Sequence, residues 1–258
     1  MTEKVVVDPG HGGRDPGGTG NGMQEKDITL PIALETEKAL LAGWKVEVIL
    51  TRRRDEYVSI ANRASLGRGA SLFVSQHLDW NASPAVRGFW TFRNTTTRPE
   101  TFGYQKILHE EAYKTIGQFG LPDRGLRRAN HDITRLPPVS TVLYEYGFIT
   151  NPLDAAVFSD DKNLKLIGQA TARGIARALG LSRKQAPSPP LPPPSEPLGT
   201  VVRPIGVRIE GKQTNHQARL LQIGDSFGTF GRLHPILDEL GYEVKPHGTY
   251  VNIVKKKR

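Results

Sequence analysis

Between Ser182 and Gly199 the chain reads SRKQAPSPPLPPPSEPLG. No helix or central strand runs through so much proline, whose ring fixes φ and removes the backbone N–H that either hydrogen-bond ladder needs. The stretch is best described as a semi-rigid extended spacer. It divides the chain into residues 1–181, a linker at 182–199 and residues 200–258. The first part is long enough for a sizeable core of its own, and the last is small for one.

Before the spacer, strand-like and helix-like segments alternate. Val5–Val7 read as a short buried strand. EKDITLPIALETEKALLAG has a helical apolar pattern that Gly43 ends, and KVEVILT alternates like a strand. SIANRASLGRGA reads as a helix leading into the strand SLFVSQH, and VRGFWTFR suggests another strand. A helix over 101–120 places Tyr104, Ile107, Leu108, Ala112 and Ile116 on one face. STVLYEYG is a further strand, and a last helix carries Leu164, Ile167, Thr171, Ile175 and Ala178 on one side. This order predicts an α/β architecture, a twisted mixed sheet flanked by helices. Beyond the spacer, strand-like VVRPIGVRIEG, a helix around GRLHPILDELG and a strand TYVNIV predict a small α+β domain.

The first strand runs straight into DPGHGGRDPGG, a loop of five glycines around His11. A phosphate-cradling loop would need a Lys-Ser/Thr pair after the glycines or an immediate helix, and Arg14-Asp15-Pro16-Gly17 supplies neither. His77 follows a second apolar strand and Glu145 a third, and ligand sites in open α/β sheets collect at the carboxyl ends of strands. Glu25 stands just ahead of the first helix, placed to cap it or to turn inward. Singly, each has an ordinary explanation: a helix-start carboxylate, a core histidine, half of a salt bridge with one of many arginines. Together, two His and one Glu make the three-ligand set of a catalytic zinc site whose fourth position holds water, with Glu145 left over as a general base. The chain has no cysteine, so thiolate sites, disulfides and Cys nucleophiles are excluded and any metal must rest on His and carboxylates.

Several spaced motifs carry a likeness to one family: VVVDPGHGGRDPG, EKD at 25–27, LTRRRDEYVSIANR at 50–63, SLFVSQHLDWNA at 71–82 and VLYEYGFITNP at 143–152. In these the chain resembles the zinc-dependent N-acetylmuramoyl-L-alanine amidases of the type 3 family over nearly all of residues 4–180. The resemblance implies Zn2+ held by His11, Glu25 and His77, Glu145 as the catalytic carboxylate, and bacterial peptidoglycan as substrate. The family usually reads Ser-Ile-His-Ala-Asn around the second histidine, where this chain has SQHLDWN. Asp79 is read as a surface or supporting group rather than a fourth ligand, since three ligands and water complete a catalytic zinc. Some regulated members cover the metal with an inserted helix until an activator moves it. Ala82–Arg87 and Arg93–Glu100 are too short for such a helix, so no activator protein is expected.

The net charge is +9, of which +6 falls after residue 181. A basic surface suits nucleic acid or an anionic wall polymer alike. Nucleic-acid binding would want aromatics interleaved with the basic residues on one face, and the arginines are scattered. Arg52 and Arg63 are given a solvated or ion-paired role, and His109, His131, His216, His234 and His247 none. No apolar run is long enough for membrane insertion and no export leader precedes the first strand, so the expectation is a phage-type endolysin held in the cytoplasm until lysis, with a leaderless autolysin looking the same. VRIEGK, LHPILDELGYEV and TYVNIV resemble the small stalk-type domains first described in copper amine oxidases, which with the charge suggests a wall-binding accessory domain. The rival reading is a non-catalytic, basic wall-binding protein that keeps the amidase fold.

Overall fold

The computed structural model describes residues 2–184 and, beyond them, residues 201–209, 212–223, 226–228, 242–247 and 250–255. The chain divides into two units, Met1–Gln185 and Ala186–Arg258.

The first unit runs β1 (Lys4–Pro9), β2 (Thr19–Gly20), β3 (Met23–Gln24), α1 (Glu25–Gly43), β4 (Glu47–Leu50), α2 (Ile60–Ser65), β5 (Leu72–Asp79), β6 (Phe89–Arg93), α3 (Pro99–Ile116), a 3-10 turn (Gly117–Phe119), β7 (Asp123–Arg128), α4 (Asp132–Arg135), β8 (Thr141–Phe148), α5 (Pro152–Phe158) and α6 (Asp161–Ala178). Six strands form one sheet in the order β4-β1-β5-β8-β6-β7. All neighbours are parallel except β6 and β8, giving the mixed α/β sheet that the alternation predicts. Among the described residues no helix is long and apolar enough to cross a membrane.

The two-residue period of the strands sorts the sheet into unlike faces. Val5, Val7, Val74, Val142, Tyr144 and Tyr146 point into a core closed by α1, α3 and α6 through Ile28, Ile32, Leu40, Leu108 and Ile175. Each such side chain contributes about 1.5–3 kcal/mol by its removal from water. The opposite face has a thinner cover, where Val6, Phe73, Leu143 and Ile133 form a small cluster near α2 and α4. On that face, continuing toward the strand ends, the register sets Asp8 beside Ser75 and His77 beside Glu145. Burial thus holds the sheet from one side and leaves the other free to carry polar chemistry.

Beyond the short elements β2, β3, α4 and α5, which the sequence reading did not give, α3 and β7 differ from the expectation. The buried face of α3 includes Gln105 and His109 as well as Leu108, Ala112 and Ile116, whereas Tyr104 and Ile107 are only partly covered. Gln105 Nε2 donates to the carbonyls of Thr91 and Arg127, so this helix face satisfies strand backbone as well as packing against it. Strand β7, with the sequence DRGLRR, has no apolar alternation to announce it. As the outermost strand it need not present one.

In the second unit the described strands β9 (Val201–Ile209), β10 (Lys212–Ile223), β11 (Ser226–Gly228), β12 (Tyr242–His247) and β13 (Tyr250–Lys255) form a sheet in the order β11-β10-β9-β13-β12. Strands β10, β11 and β12 were not anticipated, and the helix expected around GRLHPILDELG lies outside the described residues, as does most of the proline-rich stretch. The first residues of that stretch pair back onto the first unit: Lys45 N–H donates to Ser182 O and Lys184 N–H to Gly43 O.

Candidate metal centre and active site

At the carboxyl end of β1 the chain enters the loop that carries His11. This residue has φ +59°, a left-handed conformation that side chains other than glycine adopt at a cost of order 1 kcal/mol. Two buried arginines hold it there. Arg52 donates to the carbonyls of Pro9, Gly10 and Lys26, and Arg63 to those of Pro9 and His11. Arg63 also pairs with the fully buried Asp8 at 2.7 Å. Arg63 is therefore ion-paired, but Arg52 is spent on backbone carbonyls rather than on solvent or a carboxylate. Both brace the loop that carries His11, a job that neither the RRR run around Arg52 nor the SIANR segment ending in Arg63 suggested.

Three donor atoms converge: His11 Nε2, His77 Nδ1 and the Glu25 carboxylate. His77 Nδ1 lies 3.2 Å from His11 Nε2 and 2.8 Å from Glu25 Oε1, and His11 Nε2 lies 3.1 Å from Glu25 Oε2. A tetrahedral ion with bonds of about 2.0–2.1 Å would hold its ligands about 3.3–3.4 Å apart, so these residues fit one after a shift of a few tenths of an ångström. Glycines make the closeness possible. A Cβ on Gly10 would sit 2.3 Å from the His77 ring, and one on Gly17 would sit 2.5 Å from His11 and 2.6 Å from Glu25 Oε2.

The remaining polar atoms of the triad are fixed by partners. His11 Nδ1 faces Asp15 Oδ2 at 2.9 Å, which assigns the proton to Nδ1 and leaves the Nε2 lone pair facing the centre. His77 Nε2 faces Ser75 Oγ at 3.1 Å, and that hydroxyl donates to Asp8 Oδ2 at 2.6 Å, which leaves the Nδ1 lone pair facing inward. Asp8 thus ties the two ligand strands together, through Ser75 to His77 and through Arg63 to the carbonyl of His11. Glu25, the first residue of α1, turns inward and accepts from Gly18 N–H and Leu78 N–H. Burial works to raise its pKa, but hydrogen bonds and charge from His11 and His77 hold it down at about 2.

Glu145 rises from β8 next to His77. The residue is partly covered, and its Oε2, itself shielded from solvent, finds no hydrogen-bond partner among the described residues. Burial, then the charges of Glu25 and Asp79, push its pKa well above the usual carboxylate value. No arginine pairs with it among those residues, so the salt-bridge explanation has no support here. An unpartnered buried carboxylate oxygen costs about 1–3 kcal/mol or more, which marks a group kept for something other than stability. Asp79 is no part of the triad. It accepts from Trp90 Nε1 at 3.0 Å and from Trp80 N–H.

A cleft of about 560 Å3 opens above these groups and is lined by His11, His77, Glu145, Tyr57, Asn130 and His131 among others. Of the histidines without a role in the sequence, His109 is structural: its ring nitrogens face Thr91 Oγ1 and Asp123 Oδ1, and it stacks on Phe89. His131 is different, since it reaches the cleft. No sequence signal marked it, because the strand that delivers it was itself unannounced.

Known proteins share this arrangement of fold and sequence. The chain is 38% identical over 194 residues to the endolysin of Bacillus phage SPP1, covering 74% of this chain and 71% of that one. It is 36% identical over 186 residues to the N-acetylmuramoyl-L-alanine amidase CwlM of Bacillus licheniformis, covering 71% of each. Among solved structures, the catalytic domain of the amidase CwlV of Bacillus (Paenibacillus) polymyxa superposes with a TM-score of 0.66 at 30% identity, over 70% of this chain and all of that one. Residues 5–177 match the family described as N-acetylmuramoyl-L-alanine amidase, and the chain belongs to that family of peptidoglycan hydrolases.

Proposed function

We propose that this amidase is a zinc enzyme, with the ion held by His11, Glu25 and His77 and with Glu145 as its general base, cleaving the amide between the lactyl group of N-acetylmuramic acid and the L-alanine of the stem peptide. One observation carries the reading: three lone-pair donors about 3 Å apart, each oriented by its own partner, stand beside a buried carboxylate oxygen that has none. When bound, zinc supplies a Lewis acid that polarises the carbonyl and lowers the pKa of water toward about 7, and a double positive charge that offsets Glu25 and Asp79 as neighbours of Glu145.

The chain's own residues do the rest. Asp15 and Ser75 keep the two imidazoles in the tautomers that present Nε2 of His11 and Nδ1 of His77. Arg52 and Arg63 hold the His11 loop against its strained φ. Glu145 accepts the proton of the attacking water and passes it to the leaving amine nitrogen, a role favoured by an Oε2 that no other group of the described residues engages. The basic segment at 200–258, tethered by the proline-rich stretch at 182–199, serves to hold the enzyme at the wall, so the site of action is the bacterial cell wall. No activator protein is needed, since the cleft opens directly above the triad.

The test is chemical. Purified protein should release new amino termini but no new reducing sugars from peptidoglycan, stop when zinc is chelated, and recover when zinc is returned. Reducing ends without amino termini, or activity indifferent to a chelator, would contradict the proposal.

A further inference from the structure

His131 stands between β7 and α4 on the wall of the cleft that holds His11, His77 and Glu145. Its backbone carbonyl is committed. The residue caps α4, and its carbonyl accepts from Thr134 N–H, Arg135 N–H and the Thr134 hydroxyl. The imidazole is set edge-on against Phe92 at a centroid distance of 5.2 Å and an interplanar angle of 86°. Phe92 lies on the same sheet face as Leu143 and Glu145, and His131 lines the same cleft as Glu145. Among the described residues neither ring nitrogen has a hydrogen-bond partner. This is the reverse of His109, whose two nitrogens are both satisfied. The residue is exposed, so a ring with an anchored carbonyl, one apolar edge contact and two unspent nitrogens is free to meet a group that enters the cleft.

Amide hydrolysis needs such a group. As water adds to the carbonyl, negative charge gathers on its oxygen, and a preplaced donor aimed at that oxygen lowers the barrier. Glu145 is an acceptor while it acts as base. Arg63, the cleft's buried cation, is already spent on Asp8 and on the carbonyls of Val58, Pro9 and His11. We propose that His131 is a second catalytic side chain of this site, its ring N–H donating to the oxygen of the scissile carbonyl as the tetrahedral stage forms. Partial desolvation on the cleft wall, and then the neighbouring His77, hold the imidazole pKa below its ordinary value, which suits a neutral donor of one hydrogen bond rather than a fixed cation.

The inference rests on the amidase reading, and one assay separates the two. Full-length protein, His131→Ala and His131→Gln are loaded with zinc and followed on a soluble N-acetylmuramoyl-L-alanyl peptide, with zinc per chain and thermal midpoint measured alongside. In His131→Ala, kcat should fall by about 10²-fold or more, as for loss of one donor to an oxyanion, while KM stays within about threefold. Metal content and midpoint should match the parent. His131→Gln, which keeps a side-chain N–H, should recover part of the loss. If the parent is active and His131→Ala keeps its kcat, loses only KM, or loses its zinc, the role is wrong and the amidase reading stands. If the parent itself releases no amino termini, both fall.

Discussion

His77 and Glu145 occupy paired positions on the adjacent parallel strands β5 and β8, and of the two only His77 has its side-chain polar atoms fully engaged. Neighbours in register with such different hydrogen bonding point to different jobs, one binding a metal and the other moving a proton. Glu145→Gln should therefore retain about one zinc per chain while its turnover falls by about 10²-fold or more. His77→Ala should lose the metal itself. Metal analysis beside a rate assay checks both, and equal zinc loss in the two variants would reverse the assignment.

Asp8 is the knot of the site, joined to Arg63 at 2.7 Å, to Ser75 at 2.6 Å and to Thr51 at 2.5 Å with no exposed surface. Asp8→Ala leaves the Arg63 guanidinium buried without its carboxylate, which should cost about 3–5 kcal/mol in urea unfolding. The same change frees Ser75 from its acceptor and loosens the bracing of His11, so zinc affinity should drop as well. A variant with parental stability and affinity would show that the network is ornamental.

Without metal, the triad's titration predicts a pH window. The Glu25 pKa is held down at about 2 from the ordinary 4.5, so its contribution to stability is complete above 4.5 and is lost as pH falls toward that lower value. The His11 pKa moves the other way. Burial opposes the shift, but Glu25 and Asp15 raise it above 6.5, so its contribution is complete below 6.5 and is lost as pH rises through the raised value. Glu25 and His11 thus stabilise the metal-free protein most between 4.5 and 6.5. Thermal midpoints of chelator-treated protein should show this excess over His11→Ala in that window and a smaller one at pH about 8. Parallel profiles for the two proteins would refute the coupling.

Much of this arrangement is legible in the sequence, because local pattern encodes it. Val5–Val7, LFVSQ and TVLY are apolar runs that only buried strands explain, and His11, His77 and Glu145 mark where those runs stop. Glu25 is legible as the start of a helix, though its inward turn is not. The bracing network is hidden, since Asp8 and Arg63 are 55 residues apart and Asp8 and Ser75 are 67 apart. Nothing in RRR distinguishes an arginine that faces water from one that donates to four carbonyls. His131 is hidden for another reason. Strand β7 sits at the sheet edge, where Arg and Gly are tolerated, so no apolar alternation places the loop after it beside the site.

The segment that ends the catalytic unit sets the last prediction. Ser182 and Lys184 pair with the backbone of Lys45 and Gly43, and Arg183 lies over the Trp44 ring at 5.4 Å, so a cut after residue 181 would strip contacts from the end of α1. Residues 1–185 should therefore hydrolyse soluble wall fragments as fast as the full chain, and 1–181 should show a lower thermal midpoint. On intact walls the full chain should be faster than 1–185, because a tethered wall-binding segment raises the local concentration of enzyme at its polymer. Added salt should shrink that advantage if the charge of residues 182–258 provides the attraction. Equal rates of 1–185 and the full chain on intact walls at low salt would remove the wall-binding role while leaving the catalytic site untouched.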